Sequence, residues 1–353
     1  MNKIKKFFGK IWSVLKPIFT SLFSNKNAYN NAKEKAWYWA VPLGLISIVL
    51  SLIPILVTNL NVGGATIFNS SVSYKNSVSI SVRTFYMDEA MKDFVETLED
   101  KGIVIQVEKD SKNRKMATIN DQTKWDNAFN MNKNNRYEYY TNDSIRRLEI
   151  YFTDYEGQDF TTYLNDIYSN KNPSDGDPTS SIKTTSFLLL GKYEIAFVLC
   201  NNQTPVAVRQ GDYSYLDEGW TFKKLLDKTA DLSDQQKIND QIFENFKTFL
   251  NKIYESPRLT KAWTTTGIIA GINVGITFIL GFLLWILTRG KTNPFRTITF
   301  WETQKISYWC ALTPAILTLG LGFLLSTYAV IMYVGFLGLR VTFLAMKTLR
   351  PTE

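Results

Sequence analysis

The chain has 353 residues, a formal charge of +8, no histidine and two cysteines. That composition removes histidine-based triads, histidine general bases and histidine metal ligands, and two lone cysteines make no zinc cluster. Apolar residues are 45% of the total, but they crowd the two ends and leave a polar middle, a division that excludes a uniformly soluble globule.

Residues 3–23 (KIKKFFGKIWSVLKPIFTSLF) place Ile4, Phe7, Phe8, Ile11, Trp12, Leu15, Ile18, Phe19 and Leu22 at i, i+3, i+4 spacing, with lysines toward the other side. The spacing predicts an amphipathic helix lying in a membrane interface, kinked or broken at Pro17. Residues 1–36 hold eight lysines against one acid, Glu34. Beside a hydrophobic span such an excess suits an anionic membrane surface rather than nucleic acid, and it places that side in the cytoplasm.

The first span covers 37–58, with Trp37, Tyr38 and Trp39 as an interfacial anchor and Ser47 and Ser51 as a small-xxx-small pair. Residues 59–260 contain no stretch apolar enough to cross and form a domain large enough for its own core. Strand-like alternation runs at 72–86, 103–108, 145–153, 184–190, 193–200 and 205–209; helical spacing runs at 87–100, 158–168 and 233–254. Residues 110–144 and 169–182 read as polar loops, and Pro257 reads as the break between the last helix of this domain and the next span. The domain is expected to be α+β with an antiparallel or mixed sheet, on the extracytoplasmic side.

Residues 262–287 carry no charge and as a helix rise about 39 Å, enough to cross a bilayer core of about 30 Å. Gly267, Gly271 and Gly275 recur every fourth residue, a stripe for close helix packing with Ser47 and Ser51 as a suitable dock, within one chain or between chains. The basic loop 288–305 is expected along the cytoplasmic surface. Residues 306–346 are too long for one crossing and divide into spans near 306–325 and 328–346, followed by a short cytoplasmic tail, 347–353. The fold class is thus an α-helical integral membrane protein of about four spans, with both termini cytoplasmic, multi-pass in the cell membrane.

Candidate chemistry is sparse. Arg340 is the ionised residue well inside a predicted span; Asn273 and Thr313 are the polar residues suited to face it. Arg136, Tyr137, Tyr139 and Tyr140 in NNRYEYY offer either a stacking platform for a sugar or peptide or a plain strand. Acids at Asp154, Glu156 and Asp159, and at Asp175 and Asp177, miss the EF-hand spacing. Nucleophile-elbow, Ser-x-x-Lys, Walker and Rossmann patterns do not occur in fitting contexts. No cofactor or metal is expected.

Three segments carry a resemblance: Ser21-Leu22-Phe23-Ser24 before the first span, FLLLGKYEIAFVL in the middle, and ALTPAIL at 311–317. With this layout, the chain resembles an uncharacterised family of Gram-positive and mollicute membrane proteins, some labelled maltodextrin-utilisation proteins. The resemblance implies an accessory membrane role and no established active site. The expectation is a non-enzymatic protein whose extracytoplasmic domain binds a protein partner or ligand. The alternatives are a transport component built on Arg340 and Asn273, or an extracytoplasmic hydrolase using Asp175 and Asp177. The expected partners are the lipid bilayer and a membrane or extracytoplasmic protein.

Overall fold

The computed structural model describes residues 15–68, 80–129, 136–140, 146–168, 186–201, 204–291, 293–325 and 328–349. The chain divides into two compact units, one formed by Met1–Asn61 with Lys261–Glu353 and the other by Val62–Thr260.

In the first unit the described residues hold a helix over 15–23 (α1), α2 (Asn25–Glu34), α3 (Trp37–Asn61), the later part of α7 (Gln235–Leu287), α8 (Phe300–Leu324) and α9 (Ala329–Lys347). Four of these helices, α3, α7, α8 and α9, are long and apolar enough to cross a membrane. The part of the amphipathic expectation before residue 15 lies outside the described residues. Ser24 separates α1 from α2 and caps α2, its hydroxyl accepting from Asn27 N–H at 3.2 Å. α8 starts at Phe300, several residues before the expected position. Thr299 and Glu302 form a capping box there, which satisfies the free N–H groups of the first turn and fixes the start inside the expected loop.

Glycine does seat helices in this unit, but at other positions than the stripe. A Cβ on Gly44 would stand 3.0 Å from the Tyr308 ring, one on Gly281 2.5 Å from Gln304 Oε1, and one on Gly322 2.9 Å from Pro54. At Gly267, Gly271 and Gly275 a Cβ would meet nothing within 4 Å. The expected docking of that stripe on Ser47 and Ser51 is therefore corrected for packing within one chain. Asn273 lies two residues beyond Gly271, about 200° further round a helix of 3.6 residues per turn. Buried polar groups in a lipid-exposed helix must find partners inside. Asn273 and Thr277, both 1% exposed, face inward, and the glycines lie on the open side with exposed Ile268 and Ile272. Gly271→Ala should consequently leave the thermal unfolding midpoint in detergent unchanged or slightly raised, since alanine favours a helix by up to about 1 kcal/mol over glycine. A large loss would mean that the face is covered.

In the second unit, β1 (Ile105–Lys109) and β2 (Lys115–Ile119) form an antiparallel hairpin. β3 (Arg136–Tyr140), β4 (Arg146–Phe152), β5 (Ser186–Leu190), β6 (Glu194–Asn201) and β7 (Thr204–Asp212) form one mixed sheet in that order. The β4–β5 pair alone is parallel, with α6 (Gln158–Tyr168) in its connection; the other neighbours are antiparallel. Alternation along the strands fills two cores. Leu148, Ile150, Leu188, Leu190 and Phe197 pack with α4 (Ile80–Asp100) and the early part of α7, while Tyr151, Phe187, Leu189 and Val198 pack on Phe160, Leu164 and Ile167 of α6. Central β5 is buried on both faces, which explains its uninterrupted apolar run.

Three expectations are corrected here. The strand reading at 72–86 fails from residue 80 onward, where α4 begins; residues 69–79 lie outside the described set. A helix already anchored by Met91, Phe94, Val95 and Leu98 in the core extends backward more cheaply than a strand without a neighbour could form. The loop reading of 110–144 misses β2, β3 and α5 (Gln122–Phe129). The expected break at Pro257 is absent, because α7 runs from Gln235 to Leu287 with Pro257 inside it. Proline removes the hydrogen bond to the carbonyl four residues back, here Ile253. That carbonyl lies against Gly211 of β7, where a Cβ would come within 2.1 Å of the oxygen.

Candidate functional site

Arg340 is held where α9, α8 and the α1–α2 junction meet. Its Nη1 donates to the Cys310 carbonyl at 2.9 Å and to Thr313 Oγ1 at 2.5 Å, Nε donates to Asn25 Oδ1 at 3.1 Å, and Nη2 donates to the Ser21 carbonyl. Thr313 in turn donates to the Leu22 carbonyl at 2.8 Å. Every one of these acceptors is neutral. The fork geometry of guanidinium lets one side chain tie α9 to α8, 30 residues away at Cys310, and to the α1–α2 junction, 319 residues away at Ser21. A cleft of about 430 Å³ opens beside it, lined also by Lys347, Phe336 and Phe343.

The structure brings Arg340 and Thr313 together and places Asn273 elsewhere. Asn273 Nδ2 donates to Ser51 Oγ at 3.1 Å; Ser47 and Ser51 donate to the carbonyls of Leu43 and Ile48, both at 2.7 Å. Thr277 donates to the Asn273 carbonyl at 2.7 Å and lies 3.3 Å from Tyr333 Oη. These groups form a second, separate polar seam inside the helical unit. Ser21, Asn25 and Cys310 were not legible as partners of Arg340. Cys310 precedes Thr313 by three residues, one helical turn, which is the single local signal.

In the sheet unit, the RYEYY part of that motif is strand β3, at one edge of the sheet. Successive side chains of a strand point to opposite faces, so the four residues share no platform. On one face Tyr137 Oη donates to Asp93 at 2.5 Å and Tyr139 Oη to Glu89 at 3.1 Å, both acids on α4. Burial, then the neighbouring acids, holds both phenols above their ordinary pKa. On the other face Arg136, 6% exposed, lies 3.4 Å from buried Glu149 and 2.7 Å from Glu138. The stacking reading is corrected for Arg136 and Tyr137, whose surfaces are packed away in the fold; Tyr140 is the half-exposed member, its hydroxyl donating to Glu138.

Asp154, Glu156 and Asp159 do not gather with other ligands: among the described residues no group of three or more potential metal ligands exists. Asp175 and Asp177 lie outside the described residues. Asp88 on α4 is a buried carboxyl with a strongly raised pKa. Burial raises its pKa to about 7, with Glu89 and Asp240 adding to the rise against two backbone N–H bonds that lower it. A folded-state value above the ordinary 3.8 means that the folded protein takes up a proton between the two values. Stability from this group is full below about pH 4 and falls as pH rises through about 7, by at most about 1.4 kcal/mol per pH unit. Asp88→Asn should flatten that slope in thermal unfolding scans between pH 5 and 8; an unchanged slope would assign it to other groups.

Comparison with protein-family models, with curated proteins and with solved structures gives no match for this chain.

Proposed function

We propose that this chain is a multi-pass membrane accessory protein that acts by binding rather than by catalysis. Both termini lie in the cytoplasm, and Val62–Thr260 lies on the extracytoplasmic side, where it engages a protein partner or ligand. The observation that supports this reading is a unit with its own two-sided core, Val62–Thr260, that follows the first helix long and apolar enough to cross a membrane and precedes the apolar part of the second. A unit of that size has a core of its own and enough surface to bind a partner. The lysine-rich segment before α3 supports the orientation. The resemblance to the maltodextrin-utilisation group agrees with an accessory role.

Transport is the weaker reading. Its two polar residues are separated: Arg340 donates to neutral groups beside α1 and α2, and Asn273 donates to Ser51 on α3. The test is in-cell crosslinking of the full chain followed by mass spectrometry. The proposal expects a stoichiometric partner crosslinked through residues of 62–260. Recovery of no such partner, together with solute uptake that Arg340→Leu abolishes while the protein still folds, would replace it with the transport reading.

A further inference from the structure

A cation inside a membrane helix costs a few kcal/mol or more unless charge or water reaches it. Arg340 is part-buried, and its hydrogen-bond partners among the described residues are two carbonyls, a threonine hydroxyl and an asparagine amide, none of them charged. Neutral acceptors orient a guanidinium without balancing it. Lys347, exposed, lines the same cleft, and among the described residues no acid does. The sequence explains the convergence: Phe336, Leu339, Arg340, Phe343 and Lys347 follow i, i+3, i+4, i+7, i+11 spacing on one face of α9.

The cleft has two kinds of wall. Its cationic part is Arg340 with Lys347, separated by seven residues, or about 10 Å along the axis. Its apolar part includes Leu317, Leu339 and Phe343, which are 44%, 59% and 52% exposed. Apolar side chains that remain exposed on a membrane helix meet acyl chains rather than water. The depth is also suitable. Arg340 reaches the junction of α1 and α2, short helices that carry Lys16, Lys26 and Lys33, and such basic helices belong at headgroup level.

We propose that this cleft binds the phosphate of an anionic phospholipid, with Arg340 and Lys347 taking the charge and the Leu339–Phe343 wall taking an acyl chain. Four of the five guanidinium N–H donors already have protein acceptors, so Arg340 offers a phosphate its charge and the one remaining Nη2 N–H, and lysine supplies a mobile point charge. Bound there, the lipid fastens the α1–α2 segment to α9, since Asn25 and Phe23 line the same cleft. The inference stands on the helical unit alone and does not require the proposed role of the sheet unit.

The experiment titrates the purified full chain in uncharged detergent with dioctanoyl phosphatidylglycerol and follows the thermal unfolding midpoint. Dioctanoyl phosphatidylcholine and inorganic phosphate are the parallel arms. The proposal predicts a saturable rise with phosphatidylglycerol alone. Lys347→Gln, an exposed change that keeps the fold, should weaken the apparent affinity about fivefold, the size of one cation near an anionic lipid surface. Arg340→Gln should abolish the response. Equal titrations for the wild type and Lys347→Gln would overturn the site, as would an equal response to phosphatidylcholine. An equal response to inorganic phosphate would overturn the lipid as the source of the phosphate.

Discussion

Gly211→Ala is expected to lower stability by about 3 kcal/mol or more, because its new methyl group would stand 2.1 Å from the Ile253 carbonyl oxygen and 2.7 Å from its carbon. Neither atom belongs to a side chain that can rotate away. Both lie in the backbone of α7, one turn before Pro257. The ring of Pro257 leaves the Ile253 carbonyl without its normal helical donor, and the bare Cα of Gly211 allows β7 to close against it. Moving the helix away from the sheet would open the core around Phe246, Phe249 and Ile253, all buried. Gly64 offers the matched case, with a Cβ 1.9 Å from the Leu250 carbonyl oxygen. Both alanine variants should show a lower midpoint in urea unfolding followed by tryptophan fluorescence. A loss below about 0.5 kcal/mol, the size of an ordinary surface change, would mean that α7 and β7 are less closely set than described.

The second large effect is expected at the β3–β4 edge. Arg136 and Glu149 are buried charges on paired strands, with Tyr151 donating to Glu149 at 2.8 Å and accepting from Arg136 at 3.1 Å. Burial works against the guanidinium, yet Glu149 and Tyr151, with Glu138, hold its pKa above the ordinary value. Arg136→Met removes the cation and leaves the acid buried. Breaking such a pair costs about 3–5 kcal/mol, whereas replacing both members by apolar residues of similar size is often neutral. Arg136→Met should therefore be strongly destabilising, and adding Glu149→Met should recover most of the loss. A double-mutant cycle in urea checks this: additive losses would show that the two charges are not coupled.

The helical unit was legible because its signal is long and cumulative. Spans near Trp37, Ala262 and Ser307 each stand on some twenty uncharged residues, and the lengths follow from bilayer thickness alone. Strands β4 to β7 were legible through alternation or through a fully apolar run such as SFLLL. The hairpin β1–β2 was half-hidden, since KMATI is short and follows a polar stretch. Its turn signal was nevertheless present: Asp110 accepts from the N–H groups of Lys112 and Arg114, and Asn113 takes a left-handed φ of 61°.

What the sequence concealed was long-range. Pro257 reads as a stop wherever nothing compensates it, and the compensation is a glycine 46 positions earlier. The GxxxGxxxG stripe is a strong local pattern, but its orientation depends on which other residues of α7 must be buried, and Asn273 and Thr277 decide that. Arg340 was found as an isolated charge; its partners Ser21 and Asn25 lie at the other end of the chain and have no pattern linking them to it.

In the proposed topology the helices of the first unit lie in lipid and Val62–Thr260 lies beyond the bilayer on the extracytoplasmic side. Cysteines introduced one at a time at exposed Ser214 and exposed Lys291, in a Cys200→Ser, Cys310→Ser background, test it with a membrane-impermeant maleimide on intact cells. Ser214→Cys should be labelled on intact cells and Lys291→Cys only after the membrane is permeabilised. Labelling of Lys291→Cys on intact cells, with Ser214→Cys protected until permeabilisation, would contradict it.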